Sequence, residues 1–115
     1  MSAVLTATAS AHHSIAGVYD GSRSHTLTGT VVRFEFVNPH PFLTIDVSGP
    51  DGKRDQWRLE MDNRRELAEL GFKDDTLKAG DRVVVSGSLG RVQNRTLYVR
   101  RLDRPADGFS YQHHP

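Results

Sequence analysis

The stretch TLTGTVVRFEFV, at residues 26–37, is the most informative part of the sequence for the fold. Leu27 and Val31 lie on one face of a strand with a period of two, and the apolar positions then shift phase to Phe34. A phase shift within a single strand predicts a β-bulge, and Gly29 permits a sharp bend there. A long, bent first strand that serves two sheets is typical of a small closed barrel.

Further strands follow, separated by turn signals and by one helical stretch. Prolines in segment 38–41 end the first strand because proline cannot donate to a sheet, and residues 49–52 (GPDG) predict a turn. The later strands are predicted at residues 42–48, 55–61, 82–88 and 96–102. Between the third and fourth strands the pattern is helical, with Asp62 or Asn63 as the cap and Gly71 after the last turn.

This order of elements predicts an all-β fold. It is a five-stranded barrel of the oligonucleotide/oligosaccharide-binding (OB) type, with one short helix between strands three and four. An open half of a β-sandwich and an SH3-like barrel are the alternatives, and the helix argues against both.

Length and composition indicate one globular domain. The chain has 115 residues and a net charge of +1, so it has no strong field to attract nucleic acid or acidic lipid. No apolar run approaches the roughly 20 residues that cross a bilayer, so no membrane span is predicted. The chain contains no cysteine, and any metal site must therefore use His, Asp or Glu.

The N-terminal segment is typical of an export signal. Residues 1–11 carry no charged side chain and end in Ala9-Ser10-Ala11, the small-x-small pattern that signal peptidase cuts after. We therefore predict that residues 1–11 are the remnant of a cleaved signal peptide, that the mature chain begins at His12, and that the protein is periplasmic or secreted. A disordered N-terminal arm is the alternative.

The remaining domain boundaries follow from the same patterns. Residues 12–25 are predicted to form an N-terminal arm and residues 26–104 the barrel. Residues 105–115, rich in proline, glycine and polar side chains, are predicted to form a flexible tail.

Five short motifs between Ala11 and Leu102 carry a resemblance to a known family. They are Ala11-His12-His13-Ser14, Thr26-Leu27-Thr28-Gly29-Thr30-Val31, Asn38-Pro39-His40, Trp57 and Leu77-Lys78-Ala79-Gly80-Asp81. In these motifs the chain resembles small exported bacterial proteins of unknown function that start with His-His-Ser when mature. The resemblance implies export and an OB-like barrel, and it implies no established activity.

His12 and His13 form the sharpest candidate for a metal site. An N-terminal histidine chelates a metal through its α-amine and its imidazole Nδ1, and a second imidazole completes a T-shaped set of nitrogen ligands that suits Cu(II). His40, in a turn stiffened by two prolines, is the candidate for that imidazole. The sequence thus predicts an exported copper-binding module that uses His12, His13 and His40. A polar terminus and a turn histidine bonded to a carbonyl are the alternative interpretation.

A non-metal binding face is the alternative function. Phe42, Trp57, Arg58 and Tyr98 are the candidates to bind a small ligand or a partner protein. Single-stranded nucleic acid is a third hypothesis because stacking aromatics beside arginines suit it, but the balanced charge and the predicted export argue against it. No nucleophile-elbow motif or glycine-rich phosphate loop occurs. We predict that the domain is not itself an enzyme, with a copper oxidase as the alternative.

Overall fold

Within residues 15–113, a helical turn at residues 15–18 precedes a closed β-barrel that carries one further short helix. The computed structural model describes residues 15–113. The elements are β1 (Tyr19–Glu35), β2 (Phe42–Ser48), β3 (Arg54–Glu60), α1 (Arg64–Glu69), β4 (Arg82–Gly90), β5 (Thr96–Arg104) and β6 (Phe109–Gln112). The strand order is β3-β2-β1-β4-β5-β6, and a parallel pairing of β3 with β5 closes the ring. The predicted all-β, OB-like barrel with a helix between the third and fourth strands is therefore confirmed.

The first strand bends so that its two ends pair with different neighbours. Its first part pairs with β4 and its last part with β2, both antiparallel. The register with β2 shifts between Val31 and Arg33, which confirms the predicted bulge. A Cβ at Gly29 would lie 2.5 Å from the backbone oxygen of Asp46. Glycine at this position therefore lets β2 approach the bend closely.

The core of the barrel consists of aliphatic side chains from the strands and from α1. Residues with no exposed surface are Leu43, Ile45, Leu59, Met61, Leu67, Val83, Val85, Leu97, Val99 and Leu102. Leu67 is the buried residue of α1, and burial of one such side chain contributes about 1.5–3 kcal/mol. Of the two predicted caps, Asn63 is the N-cap, since its Oδ1 accepts a hydrogen bond from the backbone N of Glu66 at 2.9 Å. No helix within residues 15–113 is long and apolar enough to cross a membrane.

The C-terminal segment differs from the sequence prediction. Where a flexible tail and a five-stranded barrel are predicted, the structure has a sixth strand, β6, paired with β5. Tyr111 of β6 is buried and meets the Phe72 ring edge-on at 5.5 Å. The backbone N of His113 donates to the carbonyl of Arg100 at 2.7 Å. Alternation of Phe109 and Tyr111 gives this short strand one apolar face, which stabilises it on the barrel.

The start of the barrel also differs from the prediction. Strand β1 begins at Tyr19 and not at residue 26, so much of the predicted arm 12–25 belongs to a strand. Tyr19 pairs with Gly90 at the end of β4, and Tyr19 is 7% exposed. The polar composition of residues 20–26 hid this extension because those side chains are mostly solvent-exposed, although their backbone continues the strand.

Candidate functional site

Ionisable and aromatic side chains gather where β3 ends. Glu60, the last residue of β3, pairs with Phe42 on one side and with Tyr98 on the other. Its Oε1 accepts a hydrogen bond from the Tyr19 hydroxyl at 2.8 Å, and its Oε2 lies 3.6 Å from Nδ1 of His40. The side chains of Glu60 and His40 are 16% and 24% exposed. A carboxylate and an imidazole are thus held together, mostly out of water, beside the residue with which β1 begins.

The imidazole of His40 is oriented by the backbone. Its Nδ1 lies 2.6 Å from the carbonyl oxygen of Met61, and because a carbonyl only accepts, Nδ1 is the nitrogen that donates. The turn that carries His40 is itself held, since the backbone N of Met61 donates to Pro41 and that of Arg64 donates to Pro39, both at 3.0 Å. In the neutral ring Nε2 then keeps its lone pair. A histidine fixed through one ring nitrogen, with the other available, is the arrangement found in metal ligands.

Asp62 is the centre of a second set of contacts next to the first. This carboxylate, 7% exposed, accepts hydrogen bonds from the hydroxyls of Tyr98, at 2.5 Å, and of Tyr111. Nδ1 of His113 lies 2.7 Å from both of its oxygens. Burial by itself would raise the pKa of Asp62, but hydrogen bonds from Tyr111, Tyr98 and His113 outweigh it and hold the pKa below the usual 3.8. Asp62 is therefore a buried anion with three donors.

The three tyrosines of the chain all belong to these two sets of contacts. Burial, and next the hydrogen bond to Glu60, raise the pKa of the Tyr19 phenol. Burial, and next the hydrogen bonds to Asp62, raise the pKa of Tyr98 and Tyr111. Each phenol donates to a carboxylate, so its ionisation would place two negative charges together. The tyrosines therefore act as neutral donors and not as bases.

The predicted metal ligands fall only partly within the described structure. His12 and His13 lie outside residues 15–113, whereas His40 lies beside Glu60 at the end of β3. Within residues 15–113, no group of three or more His, Asp or Glu side chains is placed to bind a metal ion. Copper ligation therefore stays a prediction that depends on His12 and His13.

The four predicted ligand-binding residues do not meet in one place. Arg58 and Phe42 lie next to each other on β3 and β2, with the guanidinium carbon 3.6 Å from the ring centroid. Tyr98 is 4% exposed and donates to Asp62. Trp57 instead lines an open cleft with residues from other strands.

None of the residues that contact Glu60 or Asp62 through side chains lines that cleft. It has a volume of about 420 Å³ and is lined by Arg23, His25, Asp55, Trp57, Leu89, Gly90, Gln93, Asn94, Arg95 and Thr96. The rings of His25 and Trp57 stack at 5.6 Å with an interplanar angle of 14°. The cleft joins the first part of β1, the first part of β3 and the turn between β4 and β5.

Sequence reasoning missed several residues of both places. Sequence analysis does not single out Glu60, and it places His113 in a flexible tail, because the partners of both residues lie far away in sequence. A signal exists for His25 and Arg23, since the period of two that includes Leu27 continues back through both. That signal is visible only if β1 is extended to Tyr19.

A closed barrel with a helix between β3 and β4 defines an OB-fold protein. The chain belongs to a family of unknown function, DUF6152, whose family model matches residues 2–98. Strand β6, with Tyr111 and His113, lies beyond that match. A search of the curated proteins finds no significant match.

Solved structures show the same fold at low sequence identity. The complex of TiaS with tRNA and ATP matches with a TM-score of 0.53 and 20% identity, covering 75% of this chain and 19% of that chain. The dimeric N-terminal domain of PriB from Thermoanaerobacter tencongensis matches with a TM-score of 0.50 and 24% identity, covering 71% of this chain and 94% of that one. Mitochondrial single-stranded DNA-binding protein Rim1 from S. cerevisiae has a TM-score of 0.46 and 12% identity, covering 80% and 97%. At these identities the first two matches, with TM-scores of 0.53 and 0.50, establish the fold alone.

Proposed function

We propose that the protein is an exported OB-fold module that binds one copper ion through His12, His13 and His40. The observation that carries this proposal is the hydrogen bond of His40 Nδ1 to the Met61 carbonyl, at 2.6 Å. It fixes the ring and keeps Nε2 as the ligand nitrogen, as a supporting partner does in metal sites. Cu(II) is the divalent ion with the highest affinity for such nitrogen ligands.

The start of β1 supports the same proposal. Tyr19 donates to Glu60 at 2.8 Å, and Glu60 in turn lies 3.6 Å from His40. Strand β1 therefore begins at a residue that is linked to His40 through the side chain of Glu60. His12 lies seven positions before Tyr19, and residues 15–18 are helical, so the reach is at most roughly 16 Å. We propose that this is enough for an N-terminal histidine to meet His40.

The proposal depends on a free α-amine at His12, and this gives a sharp test. Copper is titrated into chains that begin at His12 and at Met1, and nitrogen ligation is followed by electron paramagnetic resonance. The chain from His12 should bind about one equivalent, and His40→Asn should weaken binding at least about tenfold. Asparagine keeps an N–H that can donate to Met61 and lacks the imidazole nitrogen Nε2 that would bind the metal. The chain from Met1 should bind more weakly and without dependence on His40.

Two results would remove the proposal. One is copper affinity that is unchanged in His12→Ala and His40→Asn, with unfolding midpoints near that of the parent chain. The other is native protein that retains Met1 and fractionates with the cytosol, as judged by intact mass. Either would favour the alternative of a non-metal binding module.

We further propose that copper binding is not coupled to turnover. No pair of catalytic groups with a readable spacing occurs in the sequence, and Tyr19, Tyr98 and Tyr111 are engaged as neutral donors to carboxylates. The copper-loaded chain from His12 should show no ascorbate- and peroxide-dependent oxidation beyond that of free copper. Turnover that disappears in His12→Ala would contradict this.

A further inference from the structure

The cleft lined by Trp57 contains neither His40 nor Glu60 in its lining, and it combines aromatic rings with arginines. Residues from three distant segments line it: β1, β3 and the turn between β4 and β5. Its volume of about 420 Å³ lies within the range of small-molecule sites, roughly 300–1,000 Å³. His40, the proposed copper ligand within residues 15–113, does not line this cleft.

One wall of the cleft is an aromatic stack. His25 lies over Trp57 with ring centroids 5.6 Å apart and planes 14° from parallel. Trp57 also packs against the core and is half-buried, while His25 is exposed. A flat wall anchored in the core and open at its outer ring is a surface on which a planar ligand stacks.

Two arginines, Arg23 and Arg95, supply positive charge to the cleft. Asp55 is the acidic residue in the lining, so the ionised side chains there sum to +1 with His25 neutral. Arg95 Nη1 lies 3.7 Å from an oxygen of Asp55, and both side chains are about half exposed. An exposed pair of this kind is weak, so Arg95 can turn its guanidinium to an anion in the cleft.

The backbone at Arg95 is also unusual. Its φ is +55°, and it is the non-glycine residue with positive φ among residues 15–113. Its carbonyl accepts from the backbone N of Arg58 at 3.0 Å, which ties the turn to β3. A large side chain in the left-handed region is disfavoured, and such positions concentrate at ligand sites.

We propose that this cleft binds a planar aromatic ring that carries a phosphate, the chemistry of a nucleotide. The ring stacks on the His25–Trp57 wall, and the guanidinium groups of Arg23 and Arg95 bind the phosphate. One guanidinium group binds two phosphate oxygens at once, which suits a cleft lined by two arginines. A free nucleotide and one unit of a single strand offer the same chemistry.

Trp57 is the one tryptophan of the chain, so its fluorescence reports on this cleft directly. Adenosine 5′-monophosphate is titrated against the protein, with adenosine, inorganic phosphate and a short single-stranded DNA as parallel probes. The monophosphate should quench Trp57, and adenosine and phosphate should each bind at least about tenfold more weakly. Tighter binding by the oligonucleotide, with the same dependence on arginine, supports the site and identifies a strand as the source of the nucleotide.

Variants decide whether the response comes from the proposed contacts. Arg95→Asn keeps a residue that tolerates positive φ, and Arg23→Gln changes the other cation without altering the turn. Each should weaken the monophosphate at least about tenfold, with an unfolding midpoint near that of the parent. Arg65→Gln, on the exposed face of α1, is the matched control and should bind normally. No quenching by the monophosphate, equal binding of adenosine, or binding that both variants leave unchanged would overturn the proposal.

Discussion

Nδ1 of His113 lies 2.7 Å from Oδ1 of Asp62, although the two residues are 51 positions apart in sequence. The contact joins the end of β6 to the residue before the cap of α1. Asp62 also accepts from the hydroxyls of Tyr98 and Tyr111, so one buried carboxylate connects β5, β6 and the start of α1. The last strand is therefore held by a polar centre as well as by its pairing with β5.

Replacement of that carboxylate should destabilise the fold. Asp62→Asn keeps the size of the side chain but turns one acceptor oxygen into a donor that faces the hydroxyls and His113. Hydrogen bonds to a buried charge contribute about 1.5–3 kcal/mol, so we expect the free energy of unfolding in urea to fall by about 2 kcal/mol. Asp74→Asn, at an exposed position, is the control and should change it by less than about 0.5 kcal/mol. An equal effect of both would contradict a special role for Asp62.

The difference between the parent chain and Asp62→Asn should depend on pH. The pKa of Asp62 in the folded protein is held below the usual 3.8, so its contribution to stability is present above that value and is lost as pH falls through the folded pKa. We expect the two unfolding free energies to differ most near neutrality and to converge in acid. Urea titrations at a series of pH values measure this. A difference that stays constant down to strong acid would disprove the linkage.

The tyrosines should resist ionisation while the protein is folded. The phenols of Tyr19, Tyr98 and Tyr111 all have a pKa above the usual 10.0, because they are buried and donate to carboxylates. A pKa that is raised in the folded state contributes stability that is fully present below pH 10, the value in the unfolded chain. This contribution is lost as pH rises towards the folded pKa. Phenolate absorbance should thus be absent well above pH 10 and appear together with unfolding. The chain unfolded in guanidinium is the control and should titrate near 10. Phenolate in the folded chain at that pH would refute the network.

Two glycines of β1 should respond differently to the same substitution. A Cβ at Gly29 would lie 2.5 Å from the backbone oxygen of Asp46, whereas nothing lies within 4 Å of a Cβ at Gly21. We expect Gly29→Ala to lower the free energy of unfolding by about 1–3 kcal/mol because the strands must move apart. Gly21→Ala should stay within about 0.5 kcal/mol of the parent. Thermal or urea unfolding compares the two, and similar values would show that the bend tolerates a side chain.

Local sequence signals were enough for most of the barrel. The phase shift after Val31 marked the bulge because side chains alternate along a strand and an extra residue reverses the alternation. Gly71 marked the end of α1, and its φ is +97°. Strand β2 has the predicted bounds Phe42–Ser48. Each of these features is set by residues within a few positions of one another.

Strand β6 shows where local signals fail. It has four residues in a polar, proline-containing segment, and such a strand has too few contacts to form alone. It forms because β5 offers an unpaired edge and because Tyr111 reaches Phe72 and Asp62. The composition of residues 105–115 correctly indicates that this segment does not fold alone. It does not reveal that β5, Phe72 and Asp62 are the partners that hold it.

Sequence analysis alone predicted the succession of the first five strands along the chain, the bend in β1, the position of α1 and the absence of thiol chemistry. These depend on periodicity, on turn residues and on residue types, all of which are local. The tertiary structure was needed to show that Asp62 contacts His113, that Glu60 lies beside His40, and that His25 stacks on Trp57. Closure of the ring by β3 and β5 fixes the distances between segments that are far apart in sequence, and a single sequence does not carry those distances.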